Sequence, residues 1–175
     1  ILDKQIVNYC KKNNIEYFCG SQDDLIDRYI KAAEKYNINT IVRVTADCPL
    51  IDPQIIDSVI YEFNERKVDY CSNTCPANIS RFPDGSDVEV FKLETLKKIN
   101  IIEKRRSYRE HLTKYYWKEN KHNIFILKNK YDWSSYKYSV DTEDDLDLIK
   151  NILEHFNTNI NKVNTNKDSK DKFHS

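Results

Sequence analysis

Asp47 stands where a carboxylate can do chemistry. It follows Ile41-Val42-Arg43-Val44-Thr45, a run rich in β-branched residues that predicts a buried core strand, and it precedes Cys48-Pro49, where proline ends any ladder. The carboxyl end of a core strand is where open α/β sheets bind ligands, whereas a turn aspartate bonding its own backbone would serve only the loop. Spacing alone leaves both readings open. Arg43 lies inside the same strand, and a charge there requires a carboxylate or phosphate partner. Asp84, Asp87 and Glu89 sit in or beside Ser86 to Phe91, a strand with one polar face that could line a site or simply meet water. Arg109, Glu110 and His111 combine a guanidinium fork with an imidazole donor. Ser107 three residues before Glu110 reads as a capping box, which would commit Glu110 to backbone, and a solvated helix face accounts for Arg109 and His111 nearly as well. Asp141 closes the expected strand Tyr136 to Val140, and its place ahead of Thr142-Glu143-Asp144 suits an N-cap.

The elements that must position these residues follow from periodicity. Ile1 to Asn13 carries a helical apolar face, Ile15 to Cys19 reads as a short strand, and a helix to about Tyr36 buries Leu25, Ile26, Tyr29, Ile30 and Ala33. Ser21 followed by Asp24 resembles a cap for that helix. Asp52-Pro53 opens the next one, with Asp52 as N-cap and Pro53 at the first helical position. Val68 to Ser72 is again a strand, and this alternation implies a largely parallel sheet with helices on both faces. After the turn residues Arg81 to Gly85 the expected order is strand Ser86 to Phe91, helix Leu93 to Glu103 and helix Ser107 to Asn120. Strands Ile124 to Leu127 and Tyr136 to Val140 follow, then a helix facing inward through Leu146, Leu148, Ile149, Ile152 and Leu153. One domain, 1–156, is expected. From Asn157 the chain has little to bury, so 157–175 is expected to be a disordered polar tail.

Composition narrows the function classes. With 28 basic and 28 acidic side chains among 175 residues, no net field favours nucleic acid or an anionic membrane surface. No apolar run approaches a membrane span and no signal peptide opens the sequence. The five cysteines are scattered without zinc-ligand spacing, which predicts reduced thiols in a cytoplasmic protein. Only Gly20 and Gly85 are glycines, so the sequence holds no glycine-rich phosphate loop.

Five segments, VRVTADCPLIDP, DYCSNT, FPDGSDVEVF, YREHLTKYY and SVDTEDDL, follow in the order found in cytidylyltransferases of the spore-coat-polysaccharide type. The chain resembles these and, more distantly, the 3-deoxy-manno-octulosonate and acylneuraminate cytidylyltransferases, over roughly Ile1 to Phe156. The resemblance implies a mixed α/β fold of the nucleotide-diphospho-sugar-transferase kind. It also implies activation of an acidic sugar, whose hydroxyl attacks the α-phosphate of CTP and releases pyrophosphate. Such transfers depend on positioning and on metal ions that neutralise phosphate charge. By resemblance, Asp47 and Asp141 are the carboxylates that hold magnesium, and the site at Arg109 and His111 lies near the acceptor sugar. Arg43, Asp84, Asp87 and Glu89 join it as expected substrate-binding residues, and the family suggests a homodimer.

The sequence departs from the family at its start. The family opens with a strand feeding a loop of the type GSTRLPGK, and neither that segment nor any methionine is present. A fragment, or a decayed relative unable to hold CTP, is therefore expected, with little synthesis of CMP-sugar by these residues alone. The competing reading is a non-catalytic remnant that packs with a partner or dimerises. A metal-dependent glycosyltransferase would want Asp-x-Asp at a strand end, but Asp145-Leu146-Asp147 falls inside the expected last helix.

Overall fold

The structure, a computed structural model, describes residues 3–170, and within them the expected α/β architecture is present. Four strands, β1 (Thr40–Arg43), β2 (Tyr70–Ser72), β3 (Glu89–Lys92) and β4 (Ile124–Ile126), form one sheet in the order β1-β3-β2-β4. Helices α1 (Lys4–Lys12) and α2 (Leu25–Lys35) precede the sheet, α3 (Pro53–Arg66) links β1 to β2, and the short α4 (Ala77–Ser80) lies between β2 and β3. Then come α5 (Leu93–Ile102), α6 (Arg106–Glu110), α7 (Lys114–Lys118) and, after β4, α8 (Glu143–Lys170). No helix among the described residues is long and apolar enough to cross a membrane.

Alternation along the strands creates two cores. Ile41, Phe91 and Tyr70 are paired across β1, β3 and β2 and face α2, α5 and α7 through Ile26, Ile30, Leu96, Ile99, Tyr115 and Tyr116. On the other face, Cys71, Val88 and Val90 pack against Val59 and Phe63 of α3. The start of α3 is built as its sequence predicts: Asp52 accepts the N–H of Gln54 at 2.8 Å, and Pro53 occupies the first turn.

Several expectations are corrected. The strand expected as a buried core strand lies at an edge of the described sheet, where Val42 and Val44 are 41% and 36% exposed. Antiparallel pairings dominate, because β3 returns between β1 and β2 and is antiparallel to both; only β2 and β4 pair in parallel. The helical crossover through α3 thus joins two parallel strands that are not neighbours. Ile15 to Cys19 forms no ladder; the carbonyl of Tyr17 is instead taken by the hydroxyl of Tyr36 at 2.7 Å. The helix expected over Ser107 to Asn120 is broken at 111–113 into α6 and α7. Ser107 caps nothing there, since α6 begins at Arg106, and Glu110 pairs with Arg106 at 2.7 Å. Along 143–157 of α8, the part whose side chains are described, only Ile149 is buried, while Leu146, Leu148 and Leu153 are exposed. The bounds of α8 run to Lys170, and 171–175 lie outside the described residues.

Tyr136 to Val140 was expected as a strand. It makes one isolated bridge, Asp84 to Lys137, and runs beside the turn before β3, with Asp84 N–H donating to Tyr136 O at 3.1 Å and Tyr138 N–H donating to Asp84 O. Gly85 permits that approach. Its φ is +93°, and a Cβ there would lie 2.3 Å from the backbone nitrogen of Ser139. Gly85→Ala is therefore expected to cost more than the roughly 1–2 kcal/mol of a left-handed backbone alone. Chemical denaturation of the variant checks this, and an unchanged midpoint would show that the two segments do not touch.

Candidate active site

The strand register builds the first part of the site. Arg43 lies opposite Glu89, and Glu89 lies opposite Ser72, so a polar row crosses the same sheet face as Ile41, Phe91 and Tyr70, one step further along. Glu89 is 1% exposed, and its two oxygens are taken separately: Oε2 by Nη1 of Arg43, Oε1 by the hydroxyl of Tyr70 at 2.6 Å. Glu89 is thus the partner that the buried charge of Arg43 required. Arg43 and Glu89 also border a cavity of about 340 Å³, whose other walls are Cys75, His111, Leu112, Thr113, Lys114 and Trp117. The break between α6 and α7 supplies three of these residues, His111, Leu112 and Thr113, and α7 supplies Lys114 and Trp117. The indole N–H of Trp117 is buried without a protein acceptor. With Arg43 and Lys114 against Glu89, the cavity carries net positive charge at its lining, and it is walled by donors.

The second part is a group of carboxylates at the ends of β1 and β3. The N–H of Val140 donates to the carbonyl of Asp47 at 2.9 Å, which brings the segment carrying Asp141 against the loop after β1. Asp141 is not the cap of α8. Thr142 and Asp145 form the cap reciprocally: the Asp145 carboxylate accepts the N–H groups of Asp141 and Thr142 at 3.0 and 2.9 Å, and Thr142 Oγ1 accepts the N–H of Asp145 at 3.2 Å. The carboxylate of Asp141 is left to face Lys137 at 2.8 Å and Ser139 at 3.3 Å, and the Ser139 hydroxyl donates more closely to Asp84, at 2.8 Å. Asp87 accepts from Thr74 Oγ1 and from the N–H of Gly85 at 3.1 Å. The thiol of Cys48 lies between Asp47 Oδ1, at 3.6 Å, and Asp87 Oδ2, at 4.0 Å.

Electrostatics separates these acids. The Thr45 side chain, aided by the Asp47 and Cys48 hydrogen-bond donors and by the charge of Arg43, holds the Asp47 carboxyl below its ordinary pKa against a smaller burial effect. Burial pushes the carboxyl of Asp87 the other way, with Asp84 and Glu89 adding to the rise. Asp47 is therefore ionised at neutral pH and presents hard oxygen to solvent. Among the described residues no three His, Cys, Asp or Glu side chains converge as a metal cage. Magnesium ordinarily takes only one or two protein carboxylates and completes its shell with phosphate oxygens and water, so a cage of three is not what that ion requires.

Arg109 is placed elsewhere. Nε and Nη2 hold Asp24 at 2.7 and 2.6 Å, Nη1 donates to Glu103 O at 2.9 Å, and Nη2 also reaches Asn100 Oδ1 at 2.7 Å. Its fork ties α6 to the cap of α2 and the end of α5, whereas His111, two residues on, is at the cavity. Lys114, Thr113, Trp117 and Tyr70 were missed by sequence reasoning. The first three share one face of any helix, at i, i+1 and i+4, but spacing does not say what that face meets, and nothing in the pattern marks a tyrosine facing a buried glutamate.

Comparisons with known proteins bear on this arrangement. A family model described as cytidylyltransferase matches residues 3–162. An uncharacterized protein of Methanocaldococcus jannaschii is 31% identical over 157 residues, which cover 88% of this chain and 62% of that protein. The spore coat polysaccharide biosynthesis protein SpsF of Bacillus subtilis is 26% identical over 151 residues, 83% of this chain and 60% of that protein. The chain thus spans about three fifths of these curated relatives. A solved cytidylyltransferase from Leptospira borgpetersenii serovar Hardjo-bovis superposes with a TM-score of 0.80 at 35% identity, covering 87% of this chain and 64% of that one. CMP:2-keto-3-deoxy-manno-octonic acid synthetase complexed with CTP superposes with a TM-score of 0.63 at 11% identity, covering 87% and 78%, a likeness of fold alone.

Arg109→Ala is expected to destabilise the chain by about 2 kcal/mol or more, since it leaves Asp24 and a carbonyl without their donor. His111→Ala is expected to leave stability within about 0.5 kcal/mol, because His111 is exposed. Urea titrations of both variants check the contrast; a stable Arg109→Ala would return Arg109 to the list of residues free to meet a ligand.

Proposed function

The chain belongs to the cytidylyltransferase family, and from that membership we propose that it carries the acceptor-sugar and metal-carboxylate part of a CMP-sugar synthetase. The reaction is transfer of CMP from CTP to a hydroxyl of an acidic sugar, with pyrophosphate leaving. The observation that carries this reading is the placement of a cationic, donor-walled cavity beside a group of carboxylates at one end of one sheet. Arg43, His111 and Lys114 would meet the sugar, the guanidinium and ammonium suiting its carboxylate and the imidazole its hydroxyls. Asp47 and Asp141 would hold magnesium, and Asp84 and Asp87 would order the loops around them. The metal, when bound, would neutralise charge on the phosphates. Asp84, Asp87 and Glu89 act through their neighbours in this reading, as positioning residues, and Arg109 supports the fold beneath His111.

A role in surface polysaccharide or glycan synthesis follows from the likeness to the Bacillus protein, and the five free cysteines suit the reducing cytoplasm. Two glycines, one of them spent at the Ser139 crossing, leave no cradle for a triphosphate within these residues. Binding of the metal and of the sugar are accordingly the measurements that address this chain.

Mn²⁺, a paramagnetic stand-in for magnesium, should bind the chain weakly, and Asp47→Asn should weaken it at least about tenfold with little loss of stability. Asp141→Asn should act likewise. Because Asp47 is ionised below the usual carboxylate range, its own protonation should not weaken binding as pH falls from 7 to 5. Water-proton relaxation enhancement measures all three. Binding indifferent to both substitutions would remove the metal assignment, and binding lost between pH 7 and 5 would remove Asp47 from it.

A further inference from the structure

Arg43 and Glu89 are opposite each other on adjacent strands, and an arginine beside a buried carboxylate ordinarily forms two parallel hydrogen bonds. Here Arg43 gives Glu89 one, through Nη1 to Oε2. The other oxygen, Oε1, is occupied by the hydroxyl of Tyr70 at 2.6 Å. Tyr70 has no freedom to turn away. It is fully buried on β2, two residues from the position opposite Glu89, and its ring stacks on Tyr116 with centroids 5.0 Å apart and planes 18° from parallel.

We propose that Tyr70 is a positioning residue that keeps Arg43 open: by holding Oε1 of Glu89 it denies the guanidinium a second bond to that carboxylate and leaves part of its fork for a ligand carboxylate in the cavity. The ligand rests on the proposed function above; the competition between Tyr70 and Arg43 for Glu89 does not. The cavity shows why the competition matters. A bidentate Arg43–Glu89 pair would be satisfied and neutral, with only Lys114 and the rim His111 left to attract an anion. A monodentate pair leaves a directional donor at the cavity wall. The Tyr29 hydroxyl also lies near the guanidinium, but it accepts without neutralising it. Burial, reinforced by the charge of Glu89, lifts the Tyr70 phenol well above its ordinary pKa, so the hydroxyl is a donor at neutral pH.

The test compares the 175-residue chain with Tyr70→Phe, which keeps the stacked ring and removes the hydroxyl. Oε1 of Glu89, buried and deprived of its donor, should recruit a second N–H from Arg43. The readout is modification of Arg43 by phenylglyoxal, followed by peptide mapping, with the exposed Arg106 as internal reference. Arg43 should react about tenfold or more slowly in the variant, relative to Arg106, because a second charge-assisted bond must break first. A purely structural role predicts the opposite sign, since loosened packing would speed the reaction. An unchanged or faster rate overturns the proposal. If circular dichroism shows Tyr70→Phe unfolded, the wild-type chain decides: its ¹⁵N guanidinium spectrum must show slow exchange only for the Arg43 N–H groups held by Glu89 and by the Tyr29 hydroxyl, with a fast-exchanging remainder. Slow exchange of every N–H of the guanidinium overturns it. Neither measurement uses a sugar, so failure to find the acceptor leaves this result standing, and the reverse also holds.

Discussion

Glu89 is the constraint around which the sheet is arranged. A carboxylate on the central strand with 1% exposure would be costly alone, and removing one partner of such a pair leaves an uncompensated buried charge. Its partners come from both neighbours, Arg43 on β1 and Tyr70 on β2, so β3 can satisfy it in only one register with each. A slip of one residue would turn Glu89 toward Val59 and Phe63, where no donor waits, and turn Val90 toward the polar row. The apolar residues alone do not enforce this, because valine and phenylalanine would pack tolerably in neighbouring registers. The polar row supplies the specificity that the short strands lack.

Once the register is set, the loops at that end of the sheet have little choice. Asn73, fully buried, donates to Ser86 O at 2.6 Å and accepts from Val88 N at 2.8 Å, which locks the exit of β2 to the approach of β3. Gly85 lets that approach lie against Ser139, and the Ser139 hydroxyl bridges toward Asp84 and Asp141. The capping pair Thr142 and Asp145 then decides what Asp141 can do. A helix start needs acceptors for its free N–H groups. Because Asp145 reaches back to two of them, Asp141 is released from backbone duty and its charge is available to the cleft. A local rule of helix chemistry thereby sets the state of a candidate site residue.

Much of this was legible in the chain, and the failures share a cause. Asp52-Pro53 marked the start of α3 because both residues act locally, and α2, α5 and β4 fell where their periodicity put them. The β-branched run Ile41 to Thr45 predicts a buried core strand, but a run reports propensity and says nothing about neighbours; an edge strand packed on one face through Ile41 has the same composition. The break at 111–113 was invisible because Leu112, Tyr115 and Tyr116 keep an apolar helical spacing across it. Arg109 and His111 looked equivalent for the same reason. What separates them is a set of partners, Asp24, Asn100 and Glu103, gathered from three other places in the chain. Local spacing assigns Asp141 to a cap, a part that Thr142 and Asp145 take in the structure, and its metal role rests on the resemblance in motif order alone.

A chain with balanced charge need not have balanced charge at its working end. Basic side chains at the cavity and carboxylates at the strand ends are contiguous here, Cys75 on the cavity wall feeling both Glu89 and Asp87. In solution of physiological strength such fields are screened beyond about 8 Å, so each patch acts on what touches it and the two do not cancel at a distance. An acidic sugar in the cavity would meet cationic donors without help. A triphosphate near Asp47 and Asp141 would be repelled, and only an intervening cation reverses that sign. Lys137 already lies against Asp141 and Asp145, 2.8 and 2.6 Å away. With Asp145 fixed by the helix start, the Lys137 ammonium has a second carboxylate to hold besides Asp141. The cap that frees Asp141 therefore also gives its resting counter-ion a place to stay.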